Sequence, residues 1–124
     1  MNSVILTKPA HIGYGQIAKP DPAKLKPNQV LIKVAACALN PSDILFMRGK
    51  YGVQHKFPFT PGWEGSGTVE AVGPGMLGKF LVGKRVGFIR ASEVRVFKIG
   101  GGMAEYIVTE SRNVIPLSDE ISFE

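Results

Sequence analysis

The chain has 124 residues, a net charge of +5 and one cysteine, and it is long enough for one domain with a hydrophobic core. A single cysteine excludes an internal disulfide and a cysteine-rich metal cage, so we expect a reducing, cytoplasmic location. No apolar run approaches the ~20 residues of a membrane span, and no signal or transit peptide is visible after Met1.

The positive charge is concentrated in residues 79–98, where six lysine and arginine residues face a single acidic residue, Glu93. A basic segment can attract the phosphates of a cofactor or of a nucleic acid. A solvated surface is the simpler interpretation. We therefore predict no nucleic-acid partner and no membrane association.

Short apolar runs separated by glycine and proline predict a mainly β fold, a small barrel or sandwich, in one domain spanning residues 1–124. Residues 30–39 are the strongest candidate because they are rich in β-branched and apolar side chains. In chain order, the predicted strands are 4–7, 14–18, 30–39, 67–72, 85–88, 94–98, 104–109 and 114–117.

One short helix is predicted after Asn40 and Pro41. Ser42 is a favourable N-cap, residues 44–47 offer an apolar face, and Gly49 ends the helix.

Residues 73–78 match the letters of the dinucleotide-binding fingerprint, G-x-G-x-x-G. That fingerprint requires a helix after the loop, so that its first amides face the pyrophosphate. Here Gly78, Gly83 and Gly87 interrupt any helix, and Pro74 removes an amide from the turn. We interpret the segment as a turn, and no other stretch of the sequence qualifies.

A zinc site needs three or four Cys, His or carboxylate ligands. Cys37, His11 and His55 are far apart and lack ligand spacing. We predict no metal site: Cys37 is a small core residue in an apolar strand, and both histidines lie at the surface.

A group of polar residues lies on and around the predicted helix: Asn40, Ser42, Asp43, Arg48 and Tyr51. The first three have ordinary uses in turns and at helix starts. Glu64 is different because a carboxylate among glycines and next to Trp63 should be partly buried, and it then needs a positive or hydrogen-bonding partner. The sequence does not identify that partner.

The segment GWEGSG at residues 62–67, followed after five residues by Gly73, resembles the G-H-E-x-x-G-x5-G signature of the medium-chain alcohol dehydrogenase superfamily. Residues 34–43, 82–86 and 101–106 follow in that family's order and spacing, and residues 114–123 resemble its link toward the cofactor domain. The resemblance covers nearly the whole chain. It implies a GroES-like, partly open β-barrel with one or two short helices.

The departures from the signature point to one branch of the superfamily. In the zinc enzymes the signature's His and an upstream Cys bind catalytic zinc, and those positions are Trp63 and Asn40 here. Tryptophan offers no lone pair, asparagine alone is a poor zinc ligand, and Cys37 lies three residues early. The four-cysteine structural zinc lobe is also absent. The chain therefore resembles the zinc-free quinone oxidoreductases and enone reductases, in which Asn-Pro-x-Asp is usual.

The resemblance implies hydride transfer from NADPH or NADH to a quinone or an activated carbon–carbon double bond. By resemblance, Asn40 lies beside the nicotinamide and the substrate carbonyl, with Asp43 fixing the structure at this cofactor site. Tyr51 hydrogen-bonds the carbonyl oxygen or relays a proton, Ser42 stands at a relay-hydroxyl position, and Glu64 supports the site from beneath.

In this family a Rossmann cofactor domain follows the N-terminal half, and we expect it after residue 124 in a full-length enzyme. The 124-residue chain alone is expected to bind NADPH weakly or not at all and to be inactive. The alternative is a stand-alone GroES-like module that binds a protein or small molecule without catalysis. The substrate, the choice between NADPH and NADH, and homo-oligomerisation stay open.

Overall fold

A computed structural model describes residues 1–52, 56–75, 79–89 and 100–124 of the chain. Within these ranges the chain forms seven β-strands, one α-helix and two 3-10 helices, the latter at Pro22–Lys24 and Ser111–Asn113. The main elements are β1 (Asn2–Lys8), β2 (His11–Gln16), β3 (Gln29–Cys37), α1 (Pro41–Met47), β4 (Glu64–Val72), β5 (Arg85–Ile89), β6 (Tyr106–Glu110) and β7 (Val114–Pro116).

The strands form two antiparallel sheets. One is the β1–β2 hairpin, and the other has five strands in the order β6-β3-β4-β5-β7. Single bridges from Ser3 to Ala104 and from Leu6 to Phe59 tie the hairpin to the rest of the chain. Among the described residues the sheets stay open and do not close into a full barrel, so the prediction of a mainly β, partly open GroES-like fold with a short helix is confirmed.

The hydrophobic core has two parts. The larger lies on the five-stranded sheet and consists of Val30, Ile32, Val69, Val86, Phe88, Ile107 and Val114. The smaller lies beneath α1 and consists of Leu6, Phe46, Met47 and Phe59. Leu31 is also fully buried between its two buried neighbours on β3. That strand is therefore covered on both faces, which explains why its sequence is a continuous apolar run.

Some sequence predictions are displaced or lie outside the described ranges. The second strand was expected at residues 14–18, but β2 begins at His11 because it pairs with β1 from Gln16 opposite Asn2 to His11 opposite Lys8. The predicted strand at residues 94–98, the histidine at 55 and the end of the 73–78 turn lie outside the described residues. At the start of that turn, the Gly73 amide donates to the carbonyl of Gln29, 2.7 Å away.

Candidate active site

The site is built around the start of α1. Asn40 is the N-cap residue, with an extended backbone, and Pro41 is the first helical residue. The prediction that Ser42 caps the helix is therefore wrong: Ser42 is the second helical residue. The reason is that proline's fixed φ and missing amide suit the first helical position, which leaves the cap to the residue before it. Gly49 ends the helix with φ of +71°, as predicted.

The buried side chain of Asp43 fixes the backbone at the start of α1. Its Oδ2 accepts a hydrogen bond of 2.9 Å from the backbone amide of Asn40, and its side chain is 0% exposed. Its other oxygen, Oδ1, has no hydrogen-bond partner within the described part of the chain. A buried carboxylate with one unpaired oxygen is costly. The hydrogen bond that Asp43 does make fixes the backbone of Asn40 at the helix start.

Glu64 is the partner of the Asn40 side chain. Asn40 Nδ2 donates to Glu64 Oε1 over 2.7 Å, although the two residues are 24 apart in sequence. The sheet sets this contact, because Cys37 at the end of β3 pairs with Gly65 on β4, and the Ala38 amide donates to the Glu64 carbonyl over 3.2 Å. Sequence reasoning expected a partner for Glu64 without naming it.

An aromatic series links the small core to the far end of α1. Edge-to-face ring contacts join Phe59 to Phe46 at 5.3 Å, Phe46 to Trp63 at 5.7 Å, and Trp63 to Tyr51 at 5.2 Å. Phe46 and Phe59 are buried, Trp63 is partly buried and packs against the small core, and Tyr51 is 39% exposed. Sequence reasoning missed the Trp63–Tyr51 contact, because residues 51 and 63 belong to different segments.

The predicted site residues lie in two groups, one at each end of α1. Asn40, Ser42 and Asp43 lie at the start of α1, with Glu64 bound to Asn40. Tyr51 follows the end of α1 and contacts Trp63, the residue before Glu64. Ser42 is partly buried.

Cys37 lies near Asp43 and Glu64, and its thiol stays in the protonated, unreactive form at neutral pH. Burial, helped by the nearby carboxylates of Asp43 and Glu64, raises the pKa of the Cys37 thiol to about 11. The thiol points back to the main chain, with Sγ 3.3 Å from the Glu64 carbonyl oxygen. Gly62 is required beside it: its φ is +105°, and a Cβ there would lie 2.7 Å from Cys37 Sγ. Cys37 is nevertheless only partly buried and belongs to neither part of the core, so the prediction that it is a core residue is wrong.

A groove of about 510 Å³ is lined in part by Cys37 and Glu64. It runs between the ends of β3, β4, β5 and β7 and the last residues of the chain, and its wall includes Phe88, Ile115 and Phe123. The last residues are held there by Arg85, whose guanidinium donates to the carbonyls of Ser118, Asp119 and Ile121. The groove could not be predicted from the sequence, because it depends on how the last residues fold back against the sheet.

Metal clusters and membrane-spanning helices are both absent from the described ranges. No group of three or more His, Cys, Asp or Glu side chains with a geometry for metal binding occurs among these residues. Within the same residues, no helix has the length and apolar character needed to cross a bilayer.

The sequence matches known proteins over most of its length. The model of the family "Alcohol dehydrogenase GroES-like domain" matches residues 26–119. Quinone oxidoreductase from Sus scrofa is 37% identical over 99 residues, which are 80% of this chain and 28% of that protein. The human quinone oxidoreductase is 37% identical over 108 residues, 87% of this chain and 30% of that protein. The chain thus spans about a third or less of the length of these relatives.

Solved structures show the same relationship. A Mesorhizobium loti protein, a candidate NADPH:quinone reductase, superimposes with a TM-score of 0.82 at 33% identity, covering 99% of this chain and 38% of that one. The quinone oxidoreductase of Thermus thermophilus, also solved with NADPH, superimposes with a TM-score of 0.73 at 25% identity, covering 100% of this chain and 35% of that one. The chain belongs to the alcohol dehydrogenase GroES-like domain family of the medium-chain dehydrogenase/reductase superfamily, in which the relatives described above are quinone oxidoreductases.

Proposed function

We propose that this chain is the substrate-side domain of an NADPH-dependent reductase that transfers a hydride to quinones or activated carbon–carbon double bonds without zinc. The observation that carries the proposal is the hydrogen bond from Asn40 Nδ2 to Glu64 Oε1. It joins the glutamate of the family signature to the residue that stands at a metal-ligand position in the zinc enzymes. The quinone oxidoreductase relatives support the reaction class.

The donor set at this centre supports chemistry without zinc. Trp63 offers no lone pair, and the amide of Asn40 is a weak ligand whose nitrogen already donates to Glu64. Negative charge that develops on a substrate oxygen would then be stabilised by hydrogen-bond donors held in advance in the right place. Asn40 suits this task because both its backbone and its side chain are fixed, by Asp43 and Glu64 respectively.

NADPH would supply the hydride, and the start of α1 suits the nicotinamide end of such a cofactor. The side-chain nitrogen Nδ2 of Asn40 carries two hydrogens, and only one of them is directed at Glu64. The other hydrogen can be donated to a carbonyl oxygen, a group that both a nicotinamide carboxamide and a quinone carry. Asp43 would act at the cofactor indirectly, since it is fully buried and reaches the site through the Asn40 backbone.

Hydride transfer to a quinone leaves an anion that takes up one proton, so that quinone, NADPH and one proton give quinol and NADP⁺. In the proposal Tyr51 donates this proton or hydrogen-bonds the oxygen, because its side chain is 39% exposed beside Trp63. The Ser42 hydroxyl, partly buried next to the Asn40 cap, would relay protons from solvent. Glu64 would serve as the support beneath Asn40.

The test uses the product of the longest open reading frame that contains this sequence. We expect NADPH oxidation that depends on an added quinone or enone, and a kcat/KM about a hundredfold lower for Asn40→Ala. Asn2→Ala, at a partly buried residue of β1 whose side chain bonds Glu105 instead, is the matched control and should retain activity. An unsubstituted product that oxidises no NADPH with any quinone or enone would overturn the proposal. Rapid turnover by residues 1–124 alone would contradict the need for a second domain.

Binding without catalysis is a second candidate function, and the groove of about 510 Å³ favours it. Its volume falls in the range of small-molecule sites, and apolar side chains dominate its walls. The nucleotide sequence after the codon for residue 124 distinguishes the two functions. A stop codon directly after residue 124 would favour the binding module, whereas a continuation into a strand, a glycine-rich turn and a helix would favour the reductase.

A further inference from the structure

We propose that Trp63 is a positioning residue that holds the Tyr51 ring at the site, so that the contribution of Tyr51 to reduction depends on Trp63. The inference rests on the proposed function and adds a residue to it. Its basis is the contact between the two rings, whose centroids lie 5.2 Å apart at an interplanar angle of 89°. This is the edge-to-face arrangement that aromatic pairs prefer.

The backbone around Tyr51 does little to fix its side chain. Tyr51 stands in a turn between Gly49 and Gly52, whose φ angles are +71° and +73°. Glycine accepts these conformations readily but loses much conformational freedom when it is ordered. The phenol ring is 39% exposed, so packing restrains only part of it. A ring in this setting needs a neighbour if its hydroxyl is to have a defined position.

Trp63 is well anchored to serve as that neighbour. Its indole meets Phe46 edge to face at 5.7 Å, and Phe46 meets Phe59 at 5.3 Å. Phe46 and Phe59 are 4% and 1% exposed, so the indole rests on the small core. A rigid chain of rings therefore extends from the protein interior to Tyr51.

The main chain adds a second anchor. Trp63 follows Gly62, which has no room for a side chain beside Cys37, and precedes Glu64, which binds Asn40. Trp63 and Glu64 are consecutive residues, and each holds one proposed functional side chain, Tyr51 and Asn40 respectively. The backbone of Trp63 is therefore held on both sides, which keeps the indole in place beside Tyr51.

The competing explanation is that Trp63 only fills space above the small core. In that case its replacement would lower stability without any special coupling to Tyr51. Residues that act through one another show non-additive effects in double-mutant cycles, whereas independent residues add. The two explanations therefore predict different results for the same set of variants.

The first experiment uses fluorescence and needs no catalytic activity. Trp63 is the single tryptophan of the chain, so its emission reports on its own surroundings. We expect Tyr51→Leu to shift the emission spectrum or lifetime of Trp63. The matched control is Tyr14→Leu, at a tyrosine that is 75% exposed on β2. An emission from Tyr51→Leu that equals that of Tyr14→Leu and of the unsubstituted chain would overturn the contact.

The second experiment measures kcat and KM of the full reading-frame product. We expect Trp63→Leu to lower kcat about tenfold to a hundredfold, as misplacement of a reacting group does, and Trp63→Phe to restore most of it because a ring remains. In a Tyr51→Phe background, Trp63→Leu should lower kcat by less than about twofold. Equal losses from Trp63→Leu in both backgrounds would overturn the positioning role.

The two experiments test the proposed function and the Trp63–Tyr51 contact independently. Absence of quinone-dependent NADPH oxidation in the unsubstituted product would overturn the proposed function and any catalytic role of Tyr51. The fluorescence result would still decide whether Trp63 holds the Tyr51 ring.

Discussion

Asn40 Nδ2 donates a hydrogen bond to Glu64 Oε1 across 24 residues of sequence. The contact joins the cap of α1 to the first residue of β4, so it ties the helix start to the five-stranded sheet. Because the acceptor is a carboxylate, the bond is of the stronger, charge-assisted kind. It therefore orients the Asn40 amide before any substrate arrives.

Removal of the Glu64 carboxylate should release the Asn40 amide. We expect Glu64→Ala to lower kcat/KM of the full reading-frame product by about ten- to a hundredfold, and Glu64→Gln to lower it less, since the Gln amide oxygen can still accept from Asn40. Glu70→Ala is the control, because Glu70 lies at the surface and binds Lys19 instead. Steady-state kinetics with a quinone would measure the three variants. Equal losses for the Ala and Gln variants would contradict the orienting role.

Asp43 should contribute to stability through its hydrogen bond and not through its charge. Asp43→Ala removes the acceptor of the Asn40 amide and should lower the free energy of unfolding by about 1–2 kcal/mol. Asp43→Asn keeps an oxygen that can accept from that amide and removes a charge whose Oδ1 has no partner among the described residues. We therefore expect Asp43→Asn to be clearly more stable than Asp43→Ala in urea unfolding. An Asn variant as unstable as the Ala variant would show that the charge itself matters.

The sequence predicts the sheet better than it predicts the site. β3 could be located because a strand buried on both faces is a continuous apolar run, and the end of α1 could be located because Gly49 takes a positive φ. The Asn40–Glu64 bond could not be found in this way. It depends on the register between β3 and β4, which includes two irregularities, and register is a property of the folded sheet.

The same limit applies to the other end of the site. Trp63 and Tyr51 meet beside α1. Trp63 packs against Phe46 on the buried face of the helix, and Tyr51 lies just after the helix end. Nothing in the local sequence of either residue indicates the other. The cap of α1 is a milder case, since Asn40 and Ser42 both favour that position and only Pro41 decides between them.

Gly62 should be intolerant of even the smallest side chain. Its φ of +105° is strained for any L-residue, and a Cβ would also lie 2.8 Å from the Met103 amide nitrogen. We expect Gly62→Ala to lower the free energy of unfolding by about 1–3 kcal/mol or more. The control is Gly83→Ala, where φ is +75° but no described atom lies within 4 Å of the added Cβ. Chemical denaturation of both variants would test this, and equal losses would show that backbone strain alone is responsible.

Cys37 should make stability fall at alkaline pH. Its pKa is raised from 9.0 to about 11, chiefly by burial, so the folded state holds the thiol proton more tightly than the unfolded state. This contribution is fully present below pH 9 and is lost as the pH rises toward 11. Other groups titrate in the same range, and Cys37→Ala is therefore the reference. We expect the free energy of unfolding to fall more steeply between about pH 9 and 11 for the unsubstituted chain than for Cys37→Ala.

The thiol's reactivity gives an independent check on the same group. Thiolate, rather than thiol, attacks disulfide reagents, so at about pH 8 the folded chain should react much more slowly with such a reagent than the chain unfolded in urea. Equal rates in the two states, or parallel stability curves for the unsubstituted chain and Cys37→Ala, would mean that burial does not hold the proton on Cys37.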